Sequence, residues 1–185
     1  MKRFTIALAA LAVMVGLSGC AQKMQRYSVS SDNVQVLRGL LAHSQSVGIG
    51  TFTDSSNSGN ALTCRLSTPM ETPNGESFAD YIKNAFRKEL IVSGMFSHDP
   101  KTIISANLNS VKSSTTLGDA YWEFDITVKS SNGKSFRVRS RYEYSSSFSA
   151  DAACYKMRTT LPIAVRKLIN DIIMDPRFVT LLKKK

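Results

Sequence analysis

Two alternating runs around Ser131-Asn132-Gly133 constrain the fold of this chain more than any other feature. Apolar residues occupy alternate positions along both runs: Trp122, Phe124, Ile126 and Val128 in the first, then Phe136, Val138, Tyr142 and Tyr144 in the second. This period of two predicts two β-strands, each with one apolar face. A three-residue loop with Gly133 in the left-handed conformation sets Val128 opposite Phe136 and joins the strands as an antiparallel hairpin.

Charged residues on the opposite face of the hairpin support the same register. It sets Glu123 opposite Arg141. It also sets Asp125 opposite Arg139, so that carboxylates face guanidinium groups across the two strands. An Asn-Gly turn of two residues would instead place apolar residues opposite arginines. The apolar and the charged patterns therefore predict one and the same pairing.

Helical spacing of apolar residues marks residues 77–94, 150–174 and, more weakly, 32–41. The first segment opens with a serine that can cap a helix and closes with a glycine that can end one. The second contains Pro162, which lacks a backbone N–H and therefore predicts a kink or a restart of the helix. The sequence thus predicts two long helices, with a short helix or a strand before them.

Two further strands are indicated by alternation, at residues 46–52 and from Thr102 onward. Gly48-Ile49-Gly50 is half of a dinucleotide-binding fingerprint, but the third glycine is missing, and close packing within a strand explains the glycines better. Residues 53–75 are polar, which predicts a long loop that is pinned or makes contacts. The expected fold class is α+β: an antiparallel sheet of about four strands with the two long helices packed on one face.

The beginning of the chain predicts export and a lipid anchor. Two basic residues precede an apolar stretch, Phe4 to Leu17, which suits a signal peptide and is short for a membrane-spanning helix. Leu17-Ser18-Gly19-Cys20 then resembles a bacterial lipobox, in which the cysteine becomes the first mature residue and carries acyl chains. The sequence therefore predicts a lipoprotein signal peptide at residues 1–19 and lipidation at Cys20.

The residues after Cys20 indicate how the domain is held. Several fatty chains hold a protein on a membrane durably, so lipidation would tether the domain while leaving it in water. Ala21 stands where an aspartate resembles an inner-membrane retention signal, which favours the outer membrane with the domain facing the periplasm. Residues 20–31 are polar and aperiodic and predict a tether, and residues 32–185 are expected to form a single α+β domain.

Cys64 and Cys154 remain beyond the anchor, and the compartment decides how they are interpreted. Because the bacterial periplasm is oxidising, the first interpretation is a disulfide between them. Two buried free thiols and a metal site are the alternatives. The metal site is the weaker one, since His43 and His98 are the only histidines and no metal-binding spacing is present. We therefore expect no metal and no cofactor.

The chain is basic, with 24 Lys and Arg against 14 Asp and Glu and a formal net charge of +10. Two of these positive charges belong to the signal peptide. The balance favours acidic partners such as lipid headgroups, lipopolysaccharide phosphates, cell-wall polymers or an acidic protein. A lipid anchor outside the cytoplasm argues against nucleic acid. The expected partners are the membrane, contacted through the anchor, and a protein of the envelope.

The sequence carries no nucleophilic-elbow, phosphate-loop or zinc-protease motif, which predicts a protein that is not an enzyme. Its most conspicuous surface residues are Arg137, Arg139 and Arg141, which alternate on one strand. They either form a stripe for an anionic ligand or neutralise facing carboxylates and protect the strand from aggregation. Pairing with Glu123 and Asp125 favours the second interpretation, in which each ion pair contributes under about 1 kcal/mol.

The order strand, loop, helix, three strands and helix behind a lipobox resembles that of small proteobacterial lipoproteins with a β-α-β-β-α core. The stretches that carry the resemblance lie within residues 46–175: VGIGTF, GESFADYIKNAFRKELIVSGMF and YWEFDITVKSSNGKSF. Such a core is similar to the amino-terminal domain of TolB and to auxiliary lipoproteins of envelope transport systems, which implies a binding or assembly factor.

The resemblance and the anchor together predict a lipid-anchored periplasmic accessory protein of the bacterial envelope that acts by protein contact. The alternative is a carrier or sensor of an anionic envelope ligand, such as a lipid, lipopolysaccharide or a cell-wall fragment. In that alternative the stripe of Arg137, Arg139 and Arg141 would hold the ligand.

Overall fold

The computed structural model describes residues 21–65 and 67–183. The strands are β1 (Gln22–Lys23), β2 (Gly48–Asp54), β3 (Ala61–Cys64), β4 (Thr68–Glu71), β5 (Ile103–Thr116), β6 (Asp119–Ser130) and β7 (Ser135–Tyr144). The helices are α1 (Ser31–Leu41), α2 (Phe78–Ser93), α3 (Ala150–Met174) and α4 (Phe178–Leu182). The predicted signal peptide and the lipidation site Cys20 lie outside the described residues. Within those residues, no helix combines the length and apolarity needed to cross a bilayer.

The main sheet has four strands in the order β2-β5-β6-β7, and α2 and α3 pack on its apolar face. Trp122 of β6, Phe86 of α2 and Leu168 of α3 are buried in the core between these layers. The indole of Trp122 also donates to the Thr160 hydroxyl at 3.1 Å, which joins β6 to α3. The predicted α+β class, the four strands of the main sheet and the packing of the two long helices on one of its faces are confirmed.

One pairing in the main sheet differs from the prediction of an antiparallel sheet. β2 pairs with β5 in parallel, because the chain leaves β2 at one end of the sheet and returns along α2 before entering β5. The glycines of β2 permit a close approach, as predicted. A Cβ atom added at Gly48 would overlap the ring of Pro100, and one at Gly50 would overlap the side chains of Ile103 and Ser105.

The hairpin of β6 and β7 has the predicted register. Val128 pairs with Phe136, and Glu123 pairs with Arg141. The Ser130 N–H donates to the Lys134 carbonyl at 2.9 Å, which leaves a loop of three residues between them. In that loop, Gly133 has the expected left-handed conformation, with φ of 89°.

The helices begin and end largely as predicted. Ser77 caps α2 by accepting the Asp80 N–H at 3.1 Å, and Gly94 ends the helix with φ of 80°. Residues 32–41, for which the sequence allows either a helix or a strand, belong to the helix α1. Of the two outcomes predicted at Pro162, a kink or a restart, the restart does not occur, since Pro162 lies inside α3, a single helix of 25 residues.

Residues 53–75 and the predicted tether differ most from expectation. The predicted loop contains the hairpin of β3 and β4, which forms a second sheet in the order β1-β4-β3. Within the predicted tether, residues 22–23 form β1, and Met24 and Tyr27 are buried. Strands of two and four residues are too short to show a period, which is why the sequence pattern missed them.

The predicted disulfide between Cys64 and Cys154 is present, with an S–S distance of 2.02 Å. It joins the end of β3 to the start of α3. The disulfide therefore holds residues 53–75 at the β3–β4 hairpin, in agreement with the prediction that this polar stretch is pinned or makes contacts.

Candidate functional site

Residues 21–33, called here the N-terminal segment, are bound along α2 and α3 by backbone and side-chain hydrogen bonds. The Tyr81 hydroxyl of α2 donates to the Gln25 carbonyl at 3.0 Å. The Gln25 N–H in turn donates to the Arg158 carbonyl of α3 at 3.1 Å. Further along, the Asn33 amide donates to the Arg166 carbonyl at 3.1 Å. The segment is therefore part of the folded domain.

The central contact of this arrangement is the buried carboxylate of Glu89 on α2, which has no solvent exposure. One of its oxygens accepts the Tyr27 hydroxyl and the Ser30 N–H, the latter at 2.8 Å. Burial, reinforced by the hydrogen bond to Glu89, raises the pKa of Tyr27 far above its ordinary value. The tyrosine thus keeps its proton and remains a donor to Glu89.

A groove of about 320 Å³ runs along α2 beside the N-terminal segment and is called here the α2 groove. Its apolar and aromatic lining comes from Tyr27, Tyr81 and Ile91, while its cationic lining comes from Arg26, Arg87 and Lys88. Asn84, Lys88 and Ile91 share this wall because residues three and four apart lie on one side of a helix.

The α2 groove has an excess of positive charge. Within residues 21–65 and 67–183, Arg26, Arg87 and Lys88 form no ion pair with an acidic side chain. The acidic residue in the lining is Glu76, whose oxygens accept the amides of Asn74 and Asn84. Cations without carboxylate partners beside apolar surface can select an acidic ligand that also carries apolar groups.

The predicted arginine stripe lies on the open face of the main sheet, and two of its members bind one carboxylate. Arg137 donates through Nε and Nη2 to the two oxygens of Asp125, both at 2.6 Å. Arg139 donates to the same carboxylate at 2.9 Å, and the Asn109 amide does so at 2.8 Å. These hydrogen bonds hold the pKa of Asp125 well below its usual range, and those from Arg137 have the largest effect.

The third member of the stripe, Arg141, is bound from several sides. It donates to Glu143 at 3.0 Å and to Asp119 at 2.9 Å, and it lies 3.6 Å from Glu123. Its guanidinium also lies 3.6 Å from the ring centroid of Tyr121. Each arginine that the sequence singled out therefore has at least one carboxylate partner.

Sequence reasoning missed the α2 groove because its residues come from distant parts of the chain. Arg26 lies in the predicted tether, and Arg87 and Lys88 lie in the helix predicted at residues 77–94, away from its apolar side. One signal was available, since Ile91 is apolar yet falls beside Lys88 on the outer side of the helix. Among the residues that the structure describes, no three His, Cys, Asp or Glu side chains are grouped to hold a metal ion.

No protein-family model and no curated protein matches the chain. Protein XCC0632 from Xanthomonas campestris, described with the family DUF330, is 11% identical with a TM-score of 0.48 and covers 83% of this chain and 95% of its own. The hypothetical protein CT253 from Chlamydia trachomatis is 8% identical with a TM-score of 0.47, and the similarity covers 75% of this chain and 98% of that protein.

The lipoprotein GNA1162 from Neisseria meningitidis is 14% identical with a TM-score of 0.28, and it covers 68% of this chain and 99% of its own. Similarities at this level transfer neither a site nor an activity. The resemblance to the amino-terminal domain of TolB stays a prediction.

Proposed function

We propose that this protein is a lipid-anchored accessory protein of the bacterial envelope, held at the outer membrane through Cys20, and that it binds a partner protein in the α2 groove. The lipobox-like sequence before Ala21 supports the anchor. The disulfide between Cys64 and Cys154 supports export, since such bonds persist in oxidising compartments. The protein acts by binding, without catalysis.

The observation that carries the binding proposal is the pairing of charge and apolar surface in the α2 groove. Arg26 and Lys88 supply positive charge and form no ion pair with a carboxylate in the described part of the chain. Ile91 supplies the exposed apolar contact area, with 48% of its surface accessible, while the buried rings of Tyr27 and Tyr81 form part of the wall beside it. An acidic segment with an apolar or aromatic side chain matches both features, and such anchors commonly dominate protein interfaces.

The alternative, an anionic envelope ligand held by Arg137, Arg139 and Arg141, has weaker support. All three guanidinium groups are engaged with carboxylates, so a phosphate would have to compete with charges already in place. We therefore use this stripe of arginines as the control surface in the experiment that tests the proposed function.

Site-specific photo-crosslinking in the native envelope tests the proposal. A photoreactive residue at position 91 should capture a protein, and Arg26→Glu with Lys88→Glu should reduce that capture by at least about tenfold, because like charges then repel an acidic partner. Arg139→Glu is the matched charge reversal on the sheet face and should leave capture unchanged. Capture at position 139 in place of 91, or tight binding to lipopolysaccharide through the stripe alone, would contradict the proposal.

The captured protein is then purified and titrated with the accessory protein at several salt concentrations. Binding through Arg26 and Lys88 should weaken as salt rises, because screening reduces the attraction between exposed charges. The mass of the amino-terminal peptide independently tests the anchor, since an acylated Cys20 adds the mass of its fatty chains. In Cys20→Ala this added mass should be absent.

A further inference from the structure

Four parts of the chain meet at one end of the fold, called here the disulfide end. The β3–β4 hairpin is joined to the start of α3 by the bond between Cys64 and Cys154. The Arg65 N–H donates to the Thr115 hydroxyl at 3.4 Å, which brings the end of β5 to the same hairpin. The Ser146 hydroxyl donates to the Thr115 carbonyl at 2.7 Å and brings in the segment before α3.

The described chain also begins at the disulfide end. Gln22 of β1 pairs with Met70 of β4, and Thr68, two residues earlier on β4, pairs with Cys64. Ala21 therefore lies beside the β3–β4 hairpin, and no spacer separates it from β1. Acyl chains attached one residue before Ala21 would enter the membrane next to this end.

Apolar side chains project from the disulfide end into solvent. Phe148 is 90% exposed and Leu117, at the turn between β5 and β6, is 51% exposed. Large aromatic side chains are usually buried, so a phenylalanine in this position points to a contact surface. Its backbone is held in place, because the carbonyl of the preceding Ser147 accepts a bond from the Arg65 guanidinium.

We propose that the disulfide end rests on the membrane surface, with Phe148 and Leu117 inserted at the boundary of headgroups and acyl chains. This inference rests on the proposed anchor at Cys20, and it adds a protein–lipid contact to the attachment. Exposed aromatic and aliphatic side chains favour that boundary. The contact would fix the orientation of the domain, because the anchor and the two side chains leave the fold at the same end.

Depth-dependent fluorescence quenching tests this orientation in the full-length lipidated protein. Phe148→Cys and Leu117→Cys each provide a free thiol, since Cys64 and Cys154 are bonded to each other and the anchor occupies Cys20. The thiol is labelled with an environment-sensitive dye, and the protein is reconstituted into phosphatidylethanolamine and phosphatidylglycerol vesicles containing nitroxide lipids. Val179→Cys in α4, at the opposite end of the fold, is the matched control with 40% exposure.

We expect dyes at positions 148 and 117 to shift to the blue and to be quenched several-fold more strongly than the dye at 179. Equal quenching at all three positions, in protein whose mass shows acylated Cys20, would overturn the orientation and leave the anchor standing. An unmodified Cys20 would overturn the anchor and the inference that rests on it. Shielding of position 148 in detergent without vesicles, increasing with protein concentration, would indicate a second copy of the chain and overturn the membrane contact.

Discussion

Gln25 donates its backbone N–H to the Arg158 carbonyl at 3.1 Å, and Pro162 makes that carbonyl available. In an uninterrupted α-helix, the carbonyl of residue 158 would accept the N–H of residue 162, which proline lacks. The proline leaves α3 continuous and gives the N-terminal segment an acceptor on the helix surface.

The Gln25 bond predicts the effect of Pro162→Ala. The new alanine N–H would share the Arg158 carbonyl, so the Gln25 amide should exchange with solvent several-fold faster relative to the amides of β5 and β6. Native-state hydrogen exchange measures both sets of amides. Ile163→Ala, next to the proline and partly exposed, should leave Gln25 protection unchanged. Unchanged protection in Pro162→Ala itself would contradict the interpretation.

The disulfide should contribute more to stability than any single surface contact. Cys64→Ser combined with Cys154→Ser should lower the free energy of unfolding by about 4–5 kcal/mol, because the bond joins residues separated by 90 positions. Denaturant titration of the oxidised protein and of the double variant gives the difference. Thiol titration of the unfolded, unreduced protein should detect neither Cys64 nor Cys154, and a loss below about 1 kcal/mol would mean that other contacts hold the hairpin.

Asp125 should stabilise the fold in a pH-dependent manner. Asp125→Asn should lower the free energy of unfolding by about 1–3 kcal/mol at neutral pH, since Arg137 and Arg139 lose a buried carboxylate partner. The pKa of Asp125 lies below its ordinary value of 3.8 in the folded state, so folding favours the ionised form. Its contribution is therefore present above that ordinary value and is lost as the pH falls towards the folded-state pKa.

Urea titrations of the Asp125→Asn variant and the unmodified protein at a series of pH values test this dependence. The difference between the two proteins should narrow on acidification. Asp119→Asn is the control, because Asp119 also pairs with an arginine but its side chain is 63% exposed. That change should cost under about 1 kcal/mol. A difference between Asp125→Asn and the unmodified protein that stays constant from neutral to acidic pH would contradict the role of the carboxylate.

The two glycines Gly48 and Gly39 should respond to alanine in opposite ways. Gly48→Ala forces a methyl group into the ring of Pro100 and should destabilise the domain by about 1–3 kcal/mol. Gly39 lies within α1 with no atom in reach of an added methyl group, so Gly39→Ala should stabilise the fold by about 0.5–1 kcal/mol. Thermal unfolding of both variants measures the contrast, and equal shifts would refute the packing argument at Gly48.

The β6–β7 hairpin could be predicted from the sequence because the apolar residues and the charged residues indicate the same register. A slip of one residue would have moved Val128 off the apolar face and Glu123 away from Arg141. The alternation did not determine which arginine binds Asp125 most closely. An arginine side chain is long enough to reach diagonally, and Arg137 makes two bonds to Asp125 while the directly opposite Arg139 makes one.

The N-terminal segment and the α2 groove could not be predicted because they depend on contacts between distant residues. Tyr27 and Glu89 are 62 positions apart, and neither alone signals that they form a buried pair. β1 has two residues and therefore no period to recognise. β2 is parallel to β5 because the chain returns along α2 across the sheet between the two strands. The alternation of apolar residues within a strand carries no information about this direction.

In the orientation proposed above, the length of α3 would set the distance from the membrane at which the protein can bind a partner. The helix starts near the first described residues and runs for 25 residues towards the opposite end of the fold, about 37 Å at the usual rise. Because no flexible linker separates Ala21 from β1, an anchored domain could not extend farther by swinging on a tether. A partner fixed in the opposite membrane, or in the cell-wall layer beyond this height, would have to extend a segment of its own to be bound.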